Sequence, residues 1–240
     1  MLRSLRSLTG FHVQAVDGEA GRVFNFYFDD HVWNIRYLVV ETGGWLSRRK
    51  VLVDPKQLGD PVFKARVLPV ALSLDQLSHC PEADTQQPVS RQEEVGMAAH
   101  FGWPSYSPME PMMPGASSTL RPPMETQEPE PGSPYLRSMR EVLHYELECP
   151  DGRLGRLKDL IVNDKIWQIS QLVAELAGVH GGGKVLLPPK WVQRISWSHR
   201  RVAIAMESAV AAGAPRYNPR APVNRRYEEL TYDYHGRRVP

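Results

Sequence analysis

Cysteine, strong net charge and long apolar runs are all scarce in this sequence. The only cysteines among its 240 residues are Cys80 and Cys149, which lie in no Cys-x-x-Cys or Cys/His ligand spacing. Neither a disulfide framework nor a zinc site is therefore indicated. No segment approaches the ~20 apolar residues of a membrane span, and the first residues lack the ~7–15 apolar residues of a signal peptide. We expect an unprocessed protein of the cytoplasm, soluble or peripherally bound at the inner face of the membrane.

Charge of one sign is also nearly absent. The sequence has 29 Lys and Arg against 27 Asp and Glu, a formal net charge of +2. A balance this small does not indicate a nucleic-acid partner or an anionic membrane surface. The basic clusters, such as residues 48–50 and 200–201, are short. We interpret them as solvated surface and expect no direct binding of nucleic acid.

Residue patterns that carry catalytic or cofactor chemistry are missing as well. The glycine-rich residues 180–184, His-Gly-Gly-Gly-Lys, lack the Gly-Lys-[Ser/Thr] ending of a phosphate-binding loop and are interpreted as a flexible hairpin loop. His79 and His199 stand alone, without a partner at the spacing of metal ligands or of a nucleophile and its base. The sequence therefore predicts a protein that is not an enzyme, with no catalytic residue, no metal ligand and no cofactor.

What the sequence does contain is an internal repeat. Residues 17–23, Asp-Gly-Glu-Ala-Gly-Arg-Val, recur as residues 151–157, Asp-Gly-Arg-Leu-Gly-Arg-Leu, at an offset of 134 residues. At the same offset Trp33 corresponds to Trp167, and the agreement continues without a gap beyond residue 100. Self-similarity at a fixed offset is the mark of a repeated structural unit. We interpret the chain as a duplication of one module.

The first copy has the pattern of an all-β module. Short runs rich in β-branched and aromatic residues are separated by turn residues, and the Asp-Gly pair at 17–18 signals a hairpin because glycine accepts the positive φ of a tight turn. Short strands in a module of about 80 residues favour a small β-barrel. Strands are predicted at 11–16, 21–28, 32–41, 50–53 and 65–72. Short helices are predicted after each barrel, at 73–78 and 207–212, and further on at 90–94 and 224–228.

A segment of different composition separates the two copies. Residues 105–137 are dominated by Pro, Met, Ser and Glu, which remove backbone donors and leave little apolar surface to bury, so a disordered linker is predicted. The predicted domain limits are a first barrel at 5–80, a short helical tail and linker at 81–137, a second barrel at 138–214 and a C-terminal tail at 215–240.

Residues 21–55 carry a family resemblance. Their succession of Gly-Arg-Val, Asp-Asp, Trp-Asn-Ile-Arg-Tyr-Leu-Val-Val-Glu-Thr-Gly-Gly-Trp-Leu and Lys-Val-Leu-Val-Asp-Pro resembles PRC-barrel domains, and the second copy repeats the pattern. That family includes the cytoplasmic domain of the photosynthetic reaction-centre H subunit and the C-terminal domain of the ribosome maturation factor RimM. The resemblance implies two small PRC-type barrels in tandem.

A fold of this kind implies a function only through the sites placed on it. We expect a non-enzymatic bacterial protein that acts as a protein-binding or assembly module, with a protein partner that the residues do not identify. Two alternatives stay open. The H subunit implies a peripheral component of a membrane photosynthetic or electron-transport complex, and RimM implies an adaptor for RNA processing or ribosome assembly. Self-association into a homo-oligomer also stays open.

Tryptophans outside the strand alternation are the candidate interface residues, because aromatic side chains bury ~150–250 Å² each and often lie at contacts between modules. They are Trp45, Trp103, Trp191 and Trp197. A second set receives a structural role because it persists in both copies. It comprises Asp17, Gly18, Gly21 and Trp33, with their counterparts Asp151, Gly152, Gly155 and Trp167. Asp30 is also predicted to hold a turn.

Overall fold

The computed structural model describes residues 1–43, 48–83 and 136–219, which form two β-sheets with short helices, so the prediction of a mostly β fold is confirmed. Within these ranges no helix has the length and apolar character needed to cross a membrane. The strands are β1 (Leu2–Ser4), β2 (His12–Gln14), β3 (Glu19–Asp29), β4 (Ile35–Thr42), β5 (Lys50–Val53), β6 (Val67–Pro69), β7 (Leu136–Ser138), β8 (Glu146–Cys149), β9 (Gly152–Asn163), β10 (Gln168–Leu176), β11 (Lys184–Leu187), β12 (Val192–Ser196) and β13 (Arg201–Ile204).

The helices are short and begin at polar capping residues. They are α1 (Leu5–Leu8), α2 (Leu74–Ser78), α3 (Met139–Val142) and α4 (Ser208–Ala212), with single 3-10 turns at Pro55–Gln57, Gly178–His180 and Pro189–Trp191. Helix α2 starts with a capping box, in which the Ser73 hydroxyl accepts from the Gln76 backbone and the Gln76 side chain returns to the Ser73 backbone. The predicted helices at 73–78 and 207–212 are thus confirmed. The predicted helices at 90–94 and 224–228 lie outside the described residues.

Each sheet is built around one long antiparallel hairpin, formed by β3 with β4 in the first sheet and by β9 with β10 in the second. The first hairpin reverses at Asp29, whose Oδ1 accepts hydrogen bonds from the backbone of His31 at 2.8 Å and of Val32 at 3.1 Å. Asp commonly closes turns in this way.

The five strands of the first path recur in the same order in the second, which has β12 as an additional edge strand. The strand order is β5-β4-β3-β2-β6 in the first sheet and β11-β10-β9-β8-β13-β12 in the second. In both, the strand before the hairpin pairs in parallel with a later strand, β2 with β6 and β8 with β13. Both paths are open, because β5 and β6 end the first and β11 and β12 end the second.

The first strand of each half leaves its own sheet and joins the other. β1 pairs with β9 in the second sheet, and β7 pairs with β3 in the first. We call residues 2–4 the first arm and residues 136–138 the second arm. The region in which the two arms cross between the halves is called the seam. The predicted barrels at 5–80 and 138–214 exclude most of both arms. The predicted linker includes residues 136 and 137, which instead belong to strand β7.

The apolar core runs through the seam. One large cluster of buried side chains contains residues of both sheets, among them Phe26 and Leu38 of the first and Leu157 and Trp167 of the second. Two smaller clusters form where the arms pack on the outer faces of the sheets. Leu2 packs with Ile161, Val173 and Leu186, and Leu136 packs with Tyr27, Tyr37, Val39 and Leu52. The halves are therefore joined by apolar packing on both faces of each sheet.

Candidate functional site

The two arms dock in the same register. Leu2 lies opposite Asn163, and Leu136 lies opposite Asp29, which is the position equivalent to Asn163 at the offset of 134 residues. The first arm therefore docks on the second half in the same way that the second arm docks on the first half. The seam has the contacts of a twofold exchange made within one chain.

An arginine on each arm pairs with a buried carboxylate of the other half. The Arg3 Nε lies 3.0 Å from the Asp164 carboxylate, which also contacts the α-ammonium of Met1. The Arg137 Nε lies 2.7 Å from the Asp30 carboxylate. Burial raises the pKa of Asp30 to about 6, while the neighbouring Arg137 acts in the opposite direction. Asp30 lies in the turn, as predicted, and its neighbour Asp29 accepts the turn hydrogen bonds from His31 and Val32.

A second polar contact ties down the end of each arm. The Ser4 hydroxyl donates to the Asp159 carboxylate, which also accepts from the Arg6 backbone at 3.1 Å. In the other half the side-chain amide of Asn25 donates to the Ser138 hydroxyl at 2.8 Å, and its oxygen accepts from the backbone of Arg140 at 3.1 Å. Burial raises the pKa of Asp159, against the hydrogen bonds from Ser4 and Arg6 that lower it. These hydrogen bonds hold the end of each arm against the other half.

Two tryptophans lie at the centre of the seam. The Trp167 carbonyl accepts from the Ile35 backbone and the Trp33 carbonyl from the Ile169 backbone, both at 2.7 Å. Both tryptophans have positive φ, 61° for Trp33 and 49° for Trp167. This conformation is uncommon for a bulky residue and persists only where surrounding contacts hold it. Trp167 also stacks on Phe26 of the other half at a centroid distance of 6.0 Å.

Beside each arm, an aromatic side chain reaches the surface. The Arg3 guanidinium lies 4.4 Å from the ring centroid of Phe63, and Phe63 packs edge-on against Phe11 at 5.2 Å. Phe63 is 36% exposed, and Trp197, which occupies the equivalent position in the second half, is 47% exposed. We call Phe63 and Trp197 the rim aromatics.

The second rim carries a carboxylate that the first rim lacks. The Tyr145 hydroxyl donates to the Glu141 carboxylate at 3.2 Å, and Trp197 also hydrogen-bonds that carboxylate. Burial raises the pKa of Glu141, against these two hydrogen bonds. Its counterpart in the first half is Ser7. The two rims thus share an arginine and an aromatic side chain but differ in charge.

The predicted interface tryptophans have different positions. Trp197 is a rim aromatic, whereas Trp191 is buried, with 8% exposure, in the large apolar cluster. Trp45 and Trp103 lie outside the described residues. Sequence reasoning missed Trp33 and Trp167 as seam residues because it assigned them to strand interiors. The sequence signal for the seam was the tripeptide Leu-Arg-Ser, which occurs in both arms, at 2–4 and at 136–138, and extends the repeat toward the start of each half.

The residues predicted to be structural include two aspartates that bind a helix start and two glycines that lie close to a neighbouring strand. The Asp17 carboxylate accepts from the Leu74 backbone and Asp151 from the Ser208 backbone, each at 2.8 Å, so both anchor the helix after the sheet. A Cβ on Gly21 would lie 2.1 Å from the Glu41 carbonyl oxygen, and a Cβ on Gly155 would lie 2.0 Å from that of Glu175. Gly152 has a φ of +138° and open space around it. A Cβ on Gly18 would lie 3.0 Å from the Leu74 side chain.

A cleft of about 390 Å³ opens at the seam, between residues 34–36 and 54–60 of the first half and 164–167 of the second. Within it, Lys165 Nζ lies 2.6 Å from the Asp60 carboxylate. This pairing lowers the pKa of Asp60 and raises that of Lys165. The cleft is lined by charges of both signs together with Leu58, Ile166 and Trp167.

Side chains with chemical reactivity are dispersed over the described ranges. Burial raises the pKa of both cysteine thiols, Cys80 and Cys149, to about 11, which keeps them protonated and weakly nucleophilic. His79 and His199 contact residues of their own turns. Across 1–43, 48–83 and 136–219, no three His, Cys, Asp or Glu side chains are grouped so that they could hold a metal ion.

No family model fits the chain, and a search of curated proteins finds no significant relative.

Proposed function

We propose that the chain is a tandem PRC-barrel protein of bacteria, formed by duplication of one module, and that it is a non-enzymatic assembly module that binds another protein. The shared strand order and the reciprocal docking of the arms at one offset support the duplication. In this proposal each of the two open sheets is one PRC-type barrel unit. The partner surface is the pair of rims that flank the seam.

The observation that carries this function is the exposure of the rim aromatics on a tightly held scaffold. Phe63 and Trp197 stand at equivalent positions in the two halves, and Phe63 lies 4.4 Å from the guanidinium of Arg3 on the first arm. Aromatic and arginine side chains supply most of the binding energy at protein interfaces, because they bury large apolar areas and also form directed contacts. A scaffold fixed by two arms loses little conformational entropy on binding, which favours affinity.

Co-purification from the native host with the full-length tagged protein tests this function. We expect Trp197→Ala to lose co-eluting proteins that the wild type retains. Val210→Ala is the matched control, because Val210 is similarly exposed, at 42%, but lies on helix α4. If Trp197→Ala and Phe63→Ala both keep every partner of the wild type, the rims do not bind them. Partners sedimenting with membranes would favour the electron-transport alternative, and partners sedimenting with ribosomal particles would favour the ribosome-assembly alternative.

A further inference from the structure

The contacts at the seam do not require that both halves belong to one chain. We propose that the seam also joins two copies of this protein: the first half of one chain docks with the second half of another, and the reverse docking closes a twofold dimer. This inference concerns association between identical chains and does not depend on the outside partner proposed above.

The exchange contacts are complete within one pair of halves. Each pair contains two arms, two arginine–carboxylate contacts and two backbone hydrogen bonds at the tryptophans. A first half and a second half from different chains would make the same set, with nothing left unpaired. Exchange of identical elements between protomers is a low-cost route to dimers for this reason.

The observed seam joins unlike halves. Arg140 of the second half lies 4.2 Å from the ring centroid of Phe24 in the first half. Its counterpart Arg6 approaches the second half, where its backbone donates to the Asp159 carboxylate at 3.1 Å. Two unlike pairs formed between two chains would repeat both contacts.

Chain connectivity sets the conditions under which the dimer forms. About 50 residues join the described halves, and a connection of that length gives each half an effective concentration for the other on the order of 1 mM or less. Dilute protein therefore closes on itself, and the dimer grows as protein concentration rises or when chains refold together. The same interface serves both states.

A charge exchange at the Arg137–Asp30 contact tests the proposal. One full-length chain carries Arg137→Asp and places an acid against Asp30; the other carries Asp30→Arg and places a cation against Arg137. Either variant alone has a repulsive contact in the monomer and in its own dimer. An exchanged dimer of the two variants contains one native contact and one reversed contact, both attractive. The two chains are unfolded, mixed, refolded together, and their mass is measured by light scattering.

We expect the mixture to shift from 27.2 kDa, the mass of one chain, to twice that value, while neither variant alone does so. A chain carrying both substitutions has the reversed contact within itself and should fold as a monomer, which shows that the reversed contact is tolerated. If the doubly substituted chain folds and the mixture still contains no species of doubled mass, the proposal is wrong. Loss of outside partners with the dimer intact would instead count only against the assembly function.

Discussion

At the scale of single residues, the seam concentrates carboxylates in places where burial opposes their charge. Asp30 and Asp159 both lie beneath an arm, and burial raises the pKa of each. An arm hydroxyl or guanidinium offsets part of that cost. Exposed acids such as Asp151 behave in the opposite way, because hydrogen bonds from Ser208 lower the pKa of Asp151. The pH dependence of stability should therefore report on the seam.

Asp30→Asn should remove part of that pH dependence. With a pKa of about 6, folded Asp30 holds a proton in the range from about pH 4 to 6, where the unfolded carboxyl has lost it. The folded state then binds more protons, so the free energy of unfolding falls as pH rises through this window. The loss attributable to Asp30 is up to about 3 kcal/mol at roughly 1.4 kcal/mol per pKa unit. Urea unfolding across the window measures it, and an unchanged slope in Asp30→Asn would contradict the burial of this charge.

Gly155 tests the close approach of two strands. A Cβ there would overlap the Glu175 carbonyl oxygen, a backbone atom that cannot turn aside. We expect Gly155→Ala to lower the free energy of unfolding by about 3 kcal/mol, as overpacked positions do. Gly178→Ala is the control, because nothing lies within 4 Å of its Cβ position, and it should change stability by less than about 0.5 kcal/mol. Equal effects of the two substitutions would show that this approach is looser than described.

At the scale of elements, the strands were predictable and the arms were not. The predicted strand at 50–53 matches β5, and the predicted strand at 21–28 lies within β3. Both are rich in β-branched or aromatic residues and are bounded by turn residues, which local rules detect. The arms are three residues long, and their stability comes from contacts with a distant part of the chain, which no local pattern contains. Only the repeated Leu-Arg-Ser tripeptide marks them.

Trp167→Ala should weaken the docking between the two sheets. Its side chain is 6% exposed and stacks on Phe26 of the other half, so truncation leaves a cavity at the seam. We expect a loss of about 3–5 kcal/mol in the free energy of unfolding, measured by urea titration. Trp197→Ala, which removes a half-exposed ring, should cost about 1 kcal/mol or less. Similar losses in the two variants would mean that Trp167 does not fill the seam.

At the scale of the whole molecule, the duplicated pattern predicted two separate cores, and the structure contains one that continues through both halves. The offset of 134 residues describes the similarity of the halves correctly but contains no information about how they pack. In that packing Trp33 and Trp167 adopt positive φ, and the carbonyl of each accepts a hydrogen bond from an isoleucine backbone of the other half. A sequence rule assigns such residues to a strand, because bulky side chains are rare in this conformation.

The central claim is that each arm docks on the other half, and a disulfide measures it directly. Leu2→Cys is combined with Asn163→Cys, its partner across the seam, or with Asp29→Cys, the equivalent position in its own half. Both are made with Cys80→Ala and Cys149→Ala, since the equivalent positions already hold Ala214 and Ala15. Directly opposed residues of antiparallel strands lie about 4.5–5.5 Å apart, within disulfide range.

Oxidation of the monomer, followed by mass spectrometry of tryptic peptides, gives the result. The 2–163 pair should form the disulfide in nearly all molecules, and the 2–29 pair should remain reduced. A disulfide between residues 2 and 29, with none between residues 2 and 163, would show that the first arm folds back on its own half and would contradict the exchange.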